Sequence, residues 1–145
     1  MLKNHHKLCE LIPHERAMCL LDSVIDWDDE HIECISSSHL DKNNPLLNEH
    51  HRLNCVNAVE YGAQAAAIHG ILMARKSGSQ PPTSGVLVQV KNMHIKDCDL
   101  AQLKFDMNIR ARRIYSDSTS MVYTITISCK SEVLLDGRIM IFIQQ

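Results

Sequence analysis

The chain of 145 residues has the length of one ordinary domain, 45% of it hydrophobic and 22% charged, enough to bury a core without covalent staples. A formal net charge of −2, with no basic cluster denser than Arg110, Arg112 and Arg113, argues against nucleic acid or an anionic membrane as a main partner. No stretch approaches the roughly 18 consecutive apolar residues of a membrane span. No secretory signal is legible before Pro13, so a cytoplasmic location is the expectation.

An irregular N-terminal arm reaches Pro13, and residues 18–27 then read as a strand. Asp28-Asp29-Glu30 reads as a turn, with His31 to His39 returning as the second strand of a hairpin. Asp41 to Arg52 is polar, holds Pro45 and three asparagines, and reads as a loop. From Asn54 to about Lys76 alanine is abundant and proline absent, which predicts a helix. Asn54 or Asn57 suits its N-cap, Glu60 its N-terminal dipole, and Arg75-Lys76 its other end, before Gly78 and Pro81-Pro82 stop it. Ala63 through Leu72 is apolar nearly all round, the signature of an enclosed helix.

Everything after Gly85 reads as β: residues 85–95, 103–115, 120–129 and 138–143, with Asp136-Gly137 as a hairpin turn. The prediction is an α+β domain over 1–145, an antiparallel sheet wrapped around one long helix.

The six cysteines form no CxxC pair and are expected to be reduced, mostly buried thiols. The nine histidines show no HxxxH or HExxH spacing, so no metal site is expected.

Leu11-Ile12-Pro13-His14-Glu15-Arg16-Ala17-Met18-Cys19-Leu20-Leu21-Asp22 resembles the opening motif of the hotdog-fold 3-hydroxyacyl-carrier-protein dehydratases of the FabA/FabZ type. Glu60-Tyr61-Gly62-Ala63-Gln64-Ala65 resembles the start of their central helix. The match is closer to an ApeP-like branch found with aryl polyene clusters. There an "LPH-x-x-PM-x-LLD" opening is followed by "P-L" (here Pro45-Leu46) and by "EY-x-AQ-x-x-A-x-HG" (here Glu60 through His69-Gly70).

The resemblance implies a hotdog fold and the dehydration of 3-hydroxyacyl thioesters in fatty acid or polyene-type biosynthesis. It also implies acyl carrier protein as partner, delivering substrate on phosphopantetheine, with no resident cofactor. Such domains pair as homodimers, and a higher oligomer or a heterodimer with a second hotdog protein is compatible. In the FabA/FabZ type a loop histidine and an acid on the central helix divide the proton transfers. Glu60 matches the acid, and Gln64, one turn on, is placed to orient it or, compatibly, to satisfy buried backbone groups. Fourteen residues before Glu60, where an "HFP" histidine would stand, is Leu46. His50 or His51 would then be the nearest loop candidate for the second group.

The same resemblance gives the His14 segment a structural role. His69 lies about 180° around the helix from Glu60 and is expected to bond a strand or a partner chain. Two alternatives stay open beside dehydration: a non-catalytic hotdog subunit partnering an active dehydratase, and a hotdog acyl-thioester hydrolase.

Overall fold

The computed structural model describes residues 19–81 and 84–144. Most of the opening motif, His14 included, therefore lies outside the described residues. Strands β1 (Ser23–Trp27) and β2 (His31–Ser36) form the predicted hairpin. The Asp28 carboxylate closes its turn, accepting the backbone N–H groups of Glu30 at 2.8 Å and His31 at 2.9 Å. Those bonds, led by the Glu30 N–H, hold its pKa down at about 2.

Helix α1 runs from Ala58 to Ser77, about 30 Å of rise. It ends where Gly78 adopts φ 75°, a left-handed conformation that glycine takes without a Cβ clash, and its N–H caps the Ala74 and Arg75 carbonyls. Strands β3 (Ser84–Ile95), β4 (Met107–Ser116), β5 (Ser120–Cys129) and β6 (Glu132–Gln144) complete a six-stranded antiparallel sheet in the order β1-β2-β4-β5-β6-β3.

The sheet wraps the helix. Along β5 the side chains alternate, so that Met121, Tyr123, Ile125, Ile127 and Cys129 are buried while Val122, Thr124 and Thr126 are less so. The buried helix residues Tyr61, Ala65, Ile68 and Leu72 share one core with that inner face. At Gly62 helix and sheet approach closely: a Cβ there would stand 2.6 Å from Ile125 Cδ1 and 3.0 Å from its Cγ2. This is the hotdog architecture that the motifs implied.

β1 begins at Ser23 rather than at residue 18, β2 ends at Ser36 rather than His39, α1 begins at Ala58 rather than Asn54, and two further boundaries differ as well. Asp136-Gly137 is not a turn but lies within β6, paired with Thr126 and Ile125. Glycine is there for space, since a Cβ would collide with the Met93 sulfur and come within 3.1 Å of the Lys91 carbonyl. The turn is instead Lys130-Ser131, with Lys130 at φ 53°. The fourth strand begins at Met107 rather than Leu103, because Asp99 caps a short 3₁₀ turn over Leu100–Gln102. Cys34, Cys55, Cys98 and Cys129 are free thiols, as expected for these four, and all but Cys98 are buried.

Candidate functional site

The chain enters α1 through a 3₁₀ turn, Cys55–Asn57, whose cap is Asn54; its side chain accepts the Val56 N–H at 3.0 Å. Asn57, the other predicted cap, makes no side-chain cap bond. Glu60 follows in the first turn of α1, half-buried, where the positive end of the helix dipole favours a carboxylate.

Tyr61 and Gln64 turn inward from the same end of the helix and hold two other segments against it. The Gln64 Oε1 accepts the Leu20 N–H at 2.9 Å. The Leu20 carbonyl in turn accepts the Ser38 hydroxyl at 2.6 Å and that of Ser36. Both backbone groups of Leu20 are thus satisfied by buried side chains as the chain approaches β1, as buried backbone requires.

The Tyr61 hydroxyl lies 2.9 Å from Ser38 Oγ and accepts from Asn44 Nδ2 at 3.1 Å; burial raises its pKa. Asn44 Nδ2 also reaches the Ser38 carbonyl at 2.8 Å, and Asn44 Oδ1 accepts the Leu46 N–H at 2.8 Å. The loop bearing Pro45-Leu46 is therefore anchored to the residue beside Glu60. Sequence reasoning assigned no role to Ser38 or Asn44; the three asparagines in a polar loop were the available signal.

Beside this network lies a cavity of about 700 Å³, lined among others by Leu20, Asp22, Ser37, Ser38, Asn43 and Asn44. The Asp22 carboxylate accepts the Ser37 N–H at 2.9 Å and its hydroxyl at 2.8 Å. His39, also unassigned from sequence, is buried one residue on. Its Nε2–H donates to the Phe105 carbonyl at 2.9 Å, and its Nδ1 has no hydrogen-bond partner among the described residues. Burial lowers its pKa and keeps the ring neutral.

The remaining histidines separate clearly. His50 is exposed and lies 3.5 Å from the Glu49 carboxylate, and His51 is an exposed loop residue with φ 57°. His69 is fully buried on the far side of the helix from Glu60. Its Nε2–H donates to the Asp28 carbonyl at 2.7 Å, so its Nδ1 accepts from the Tyr123 hydroxyl at 2.6 Å. Trp27 meets its ring edge-on, with centroids 6.4 Å apart. His69 thus fastens α1 to β5 and to the end of β1.

Among the described residues no group of three His, Cys, Asp or Glu side chains is arranged to hold a metal ion. No helix among them is long and apolar enough to cross a membrane.

Residues 6–145 match the model of a family described as ApeP-like, ApeP dehydratase. The chain belongs to the ApeP-like family. Its fold is that of the dehydratase heterocomplex ApeI:P from Xenorhabdus doucetiae, with a TM-score of 0.85 and 24% identity over 95% of this chain and 91% of that one. More distant neighbours in fold are a thioesterase from Haemophilus influenzae (TM-score 0.67, 15% identity, 99% and 90% covered) and thioesterase superfamily member 2 from Mus musculus (0.64, 13%, 95% and 92%). No curated protein matches the chain.

Proposed function

We propose that this ApeP-like protein dehydrates 3-hydroxyacyl thioesters carried on the phosphopantetheine of acyl carrier protein, with Glu60 as its acid/base group. The supporting observation is the position of Glu60 in the first turn of an enclosed helix, beside the Tyr61–Asn44 anchor of the loop. Dehydration removes an acidified α-proton and protonates the departing hydroxyl, which one carboxyl and a second proton carrier can share. The first-turn N–H groups and the helix dipole favour the negative charge that develops on the thioester oxygen. Gln64 is read as orienting Glu60 from one turn away, and His50 or His51 as the loop source of a second group. The reaction needs no resident cofactor.

A second reading has its own support. Leu46 stands where the loop histidine of the FabA/FabZ type would be, and both His50 and His51 are exposed in the single chain. The first of the similar structures is a heterocomplex. On this reading the chain is the partner subunit of a second hotdog protein that supplies the missing group. Strand β3 offers the seam, because it lies at the sheet edge with Val86, Val88 and Val90 each about half exposed. The same edge serves a homodimer.

The test is to incubate the protein, alone and with a candidate hotdog partner, with 3-hydroxyacyl and saturated acyl thioesters of acyl carrier protein, and to read the products by mass. Enoyl product from the protein alone supports the first reading, and enoyl product only in the mixture supports the second. Free acid instead would replace both with thioester hydrolysis. Glu60→Gln is expected to abolish dehydration; undiminished turnover removes Glu60 from the chemistry.

A further inference from the structure

Two free thiols face each other where the chain enters α1. Leu53, Asn54 and Cys55 run antiparallel to Leu100, Asp99 and Cys98. The Leu100 N–H donates to the Leu53 carbonyl at 2.7 Å, Asn54 and Asp99 form a bridge, and the Cys55 N–H donates to the Cys98 carbonyl at 3.1 Å. Residues opposed in such a hydrogen-bonded register have Cα atoms about 5.5 Å apart, inside the span of roughly 4.4–6.8 Å that a disulfide bridges. Opposed residues of an antiparallel pair carry their side chains on the same face, so the two thiols project to one side of this pairing. Asp99 stiffens the pair from below, its carboxylate accepting the Leu53 N–H at 2.9 Å and the Ala101 N–H at 3.0 Å.

The two thiols differ in access. Cys55 is fully buried, 3.4 Å from the Leu134 carbonyl, and burial pushes its pKa up to about 12, so reagents in solution do not reach it and only a sulfur already beside it can draw it into reaction. Cys98 is only half-buried and meets solvent. Such an asymmetry suits a pair in which the outer sulfur reacts first and the inner one resolves.

We infer that Cys98 and Cys55 form a reversible disulfide that cross-links the entry of α1 to the segment after β3, with Cys98 the attacking and Cys55 the resolving thiol. The oxidant is a small disulfide of the glutathione class. The Cys98 thiolate attacks one sulfur of that disulfide, the S–S bond breaks, and one small thiol leaves with a proton. Cys55 then loses its proton and attacks the Cys98 sulfur, and the second small thiol departs with a proton. The pair has given up two electrons and two protons, and the small disulfide has been reduced to two thiols. This inference is independent of the reaction that the chain supports. The cross-link lies just ahead of the turn that carries Glu60, so its redox state sets how tightly the start of α1 is held.

The test uses the full wild-type chain. It is exposed to oxidised glutathione, the remaining thiols are alkylated under denaturing conditions, and the digest is mapped by mass. The expected product is a peptide linked between Cys55 and Cys98, lighter by two hydrogen atoms and reversed by dithiothreitol, with Cys34 and Cys129 alkylated. Closing a loop of about forty residues should also raise the thermal midpoint by roughly 5–10 °C, and Cys98→Ser should remove that shift. Cys55→Ser should leave glutathione attached to Cys98. The inference is overturned if Cys98 of the wild type accumulates glutathione without passing the bond to Cys55. Full alkylation of both thiols after oxidant overturns it equally, as does an oxidant-induced midpoint shift that persists in Cys98→Ser.

Discussion

The Gln64 side-chain oxygen and the Leu20 backbone N–H lie 2.9 Å apart, joining the first half of α1 to a residue 44 positions earlier in the chain. The bond is buried, so its loss leaves a donor without water to replace the partner. Gln64→Met, which keeps the volume, should cost about 1–3 kcal/mol. Urea unfolding checks this as a lowered midpoint with an unchanged m-value. If Gln64 also orients Glu60, the same variant should lower kcat while leaving KM near its wild-type value.

Tyr61→Phe removes the hydroxyl that meets Ser38 and Asn44 and leaves both facing an apolar ring edge. A loss of about 1–2 kcal/mol is expected. The local consequence is more telling than the global one. The Leu46 N–H, held by Asn44, should exchange faster with deuterium than in the wild type, while amides in β5 keep their protection.

Gly62→Ala forces a methyl group against Ile125, and the nearest contacts include its Cγ2 and Cβ as well as its mobile Cδ1. Overpacking of this kind should cost about 1–3 kcal/mol. Ile125→Val removes Cδ1, the closest atom, so the double variant should be more stable than the sum of the single changes predicts. A thermal-denaturation double-mutant cycle reads the coupling directly. An additive result would mean that the helix shifts away from the sheet at little cost.

His39 and His69 are both buried and neutral, and burial is the first cause lowering each pKa. In the unfolded chain each returns to an ordinary value near 6.5. Between the lowered folded value and 6.5 the unfolded state binds more protons, so stability rises with pH across that window and is lost as pH falls through it. Midpoints measured from about pH 7.5 down to about pH 5, a range that spans the ordinary histidine value, should therefore decline. His69→Gln should flatten part of that slope. An unchanged slope in His69→Gln and in the matching His39→Gln would assign the decline to other groups.

The hairpin and the helix were legible in the sequence because their signals are local. Asp28-Asp29-Glu30 supplies a turn carboxylate for the N–H groups next to it, and alanine-rich 58–77 has helix propensity, a charged end and a glycine stop within one segment. Asp136-Gly137 shows the limit of local signals. The dipeptide has turn chemistry, but a Cβ at Gly137 would meet the Met93 side chain and then the Lys91 carbonyl of β3, which is distant in sequence.

The candidate site divides in the same way. Sequence alone determined the fold class, the family resemblance, the match of Glu60 to the helix acid of the FabA/FabZ type and the presence of Leu46 where that type has its loop histidine. It also placed His69 opposite Glu60, since 100° per residue is a property of the helix itself. Only the tertiary structure decided which groups meet: Tyr61 with Ser38 and Asn44, Gln64 with Leu20, His69 with Tyr123, and the Cys55 backbone with that of Cys98. Each is a contact between segments far apart in the chain, and hydrogen bonds act over about 3 Å. Separation along the sequence carries no information on that scale until the sheet has closed around the helix.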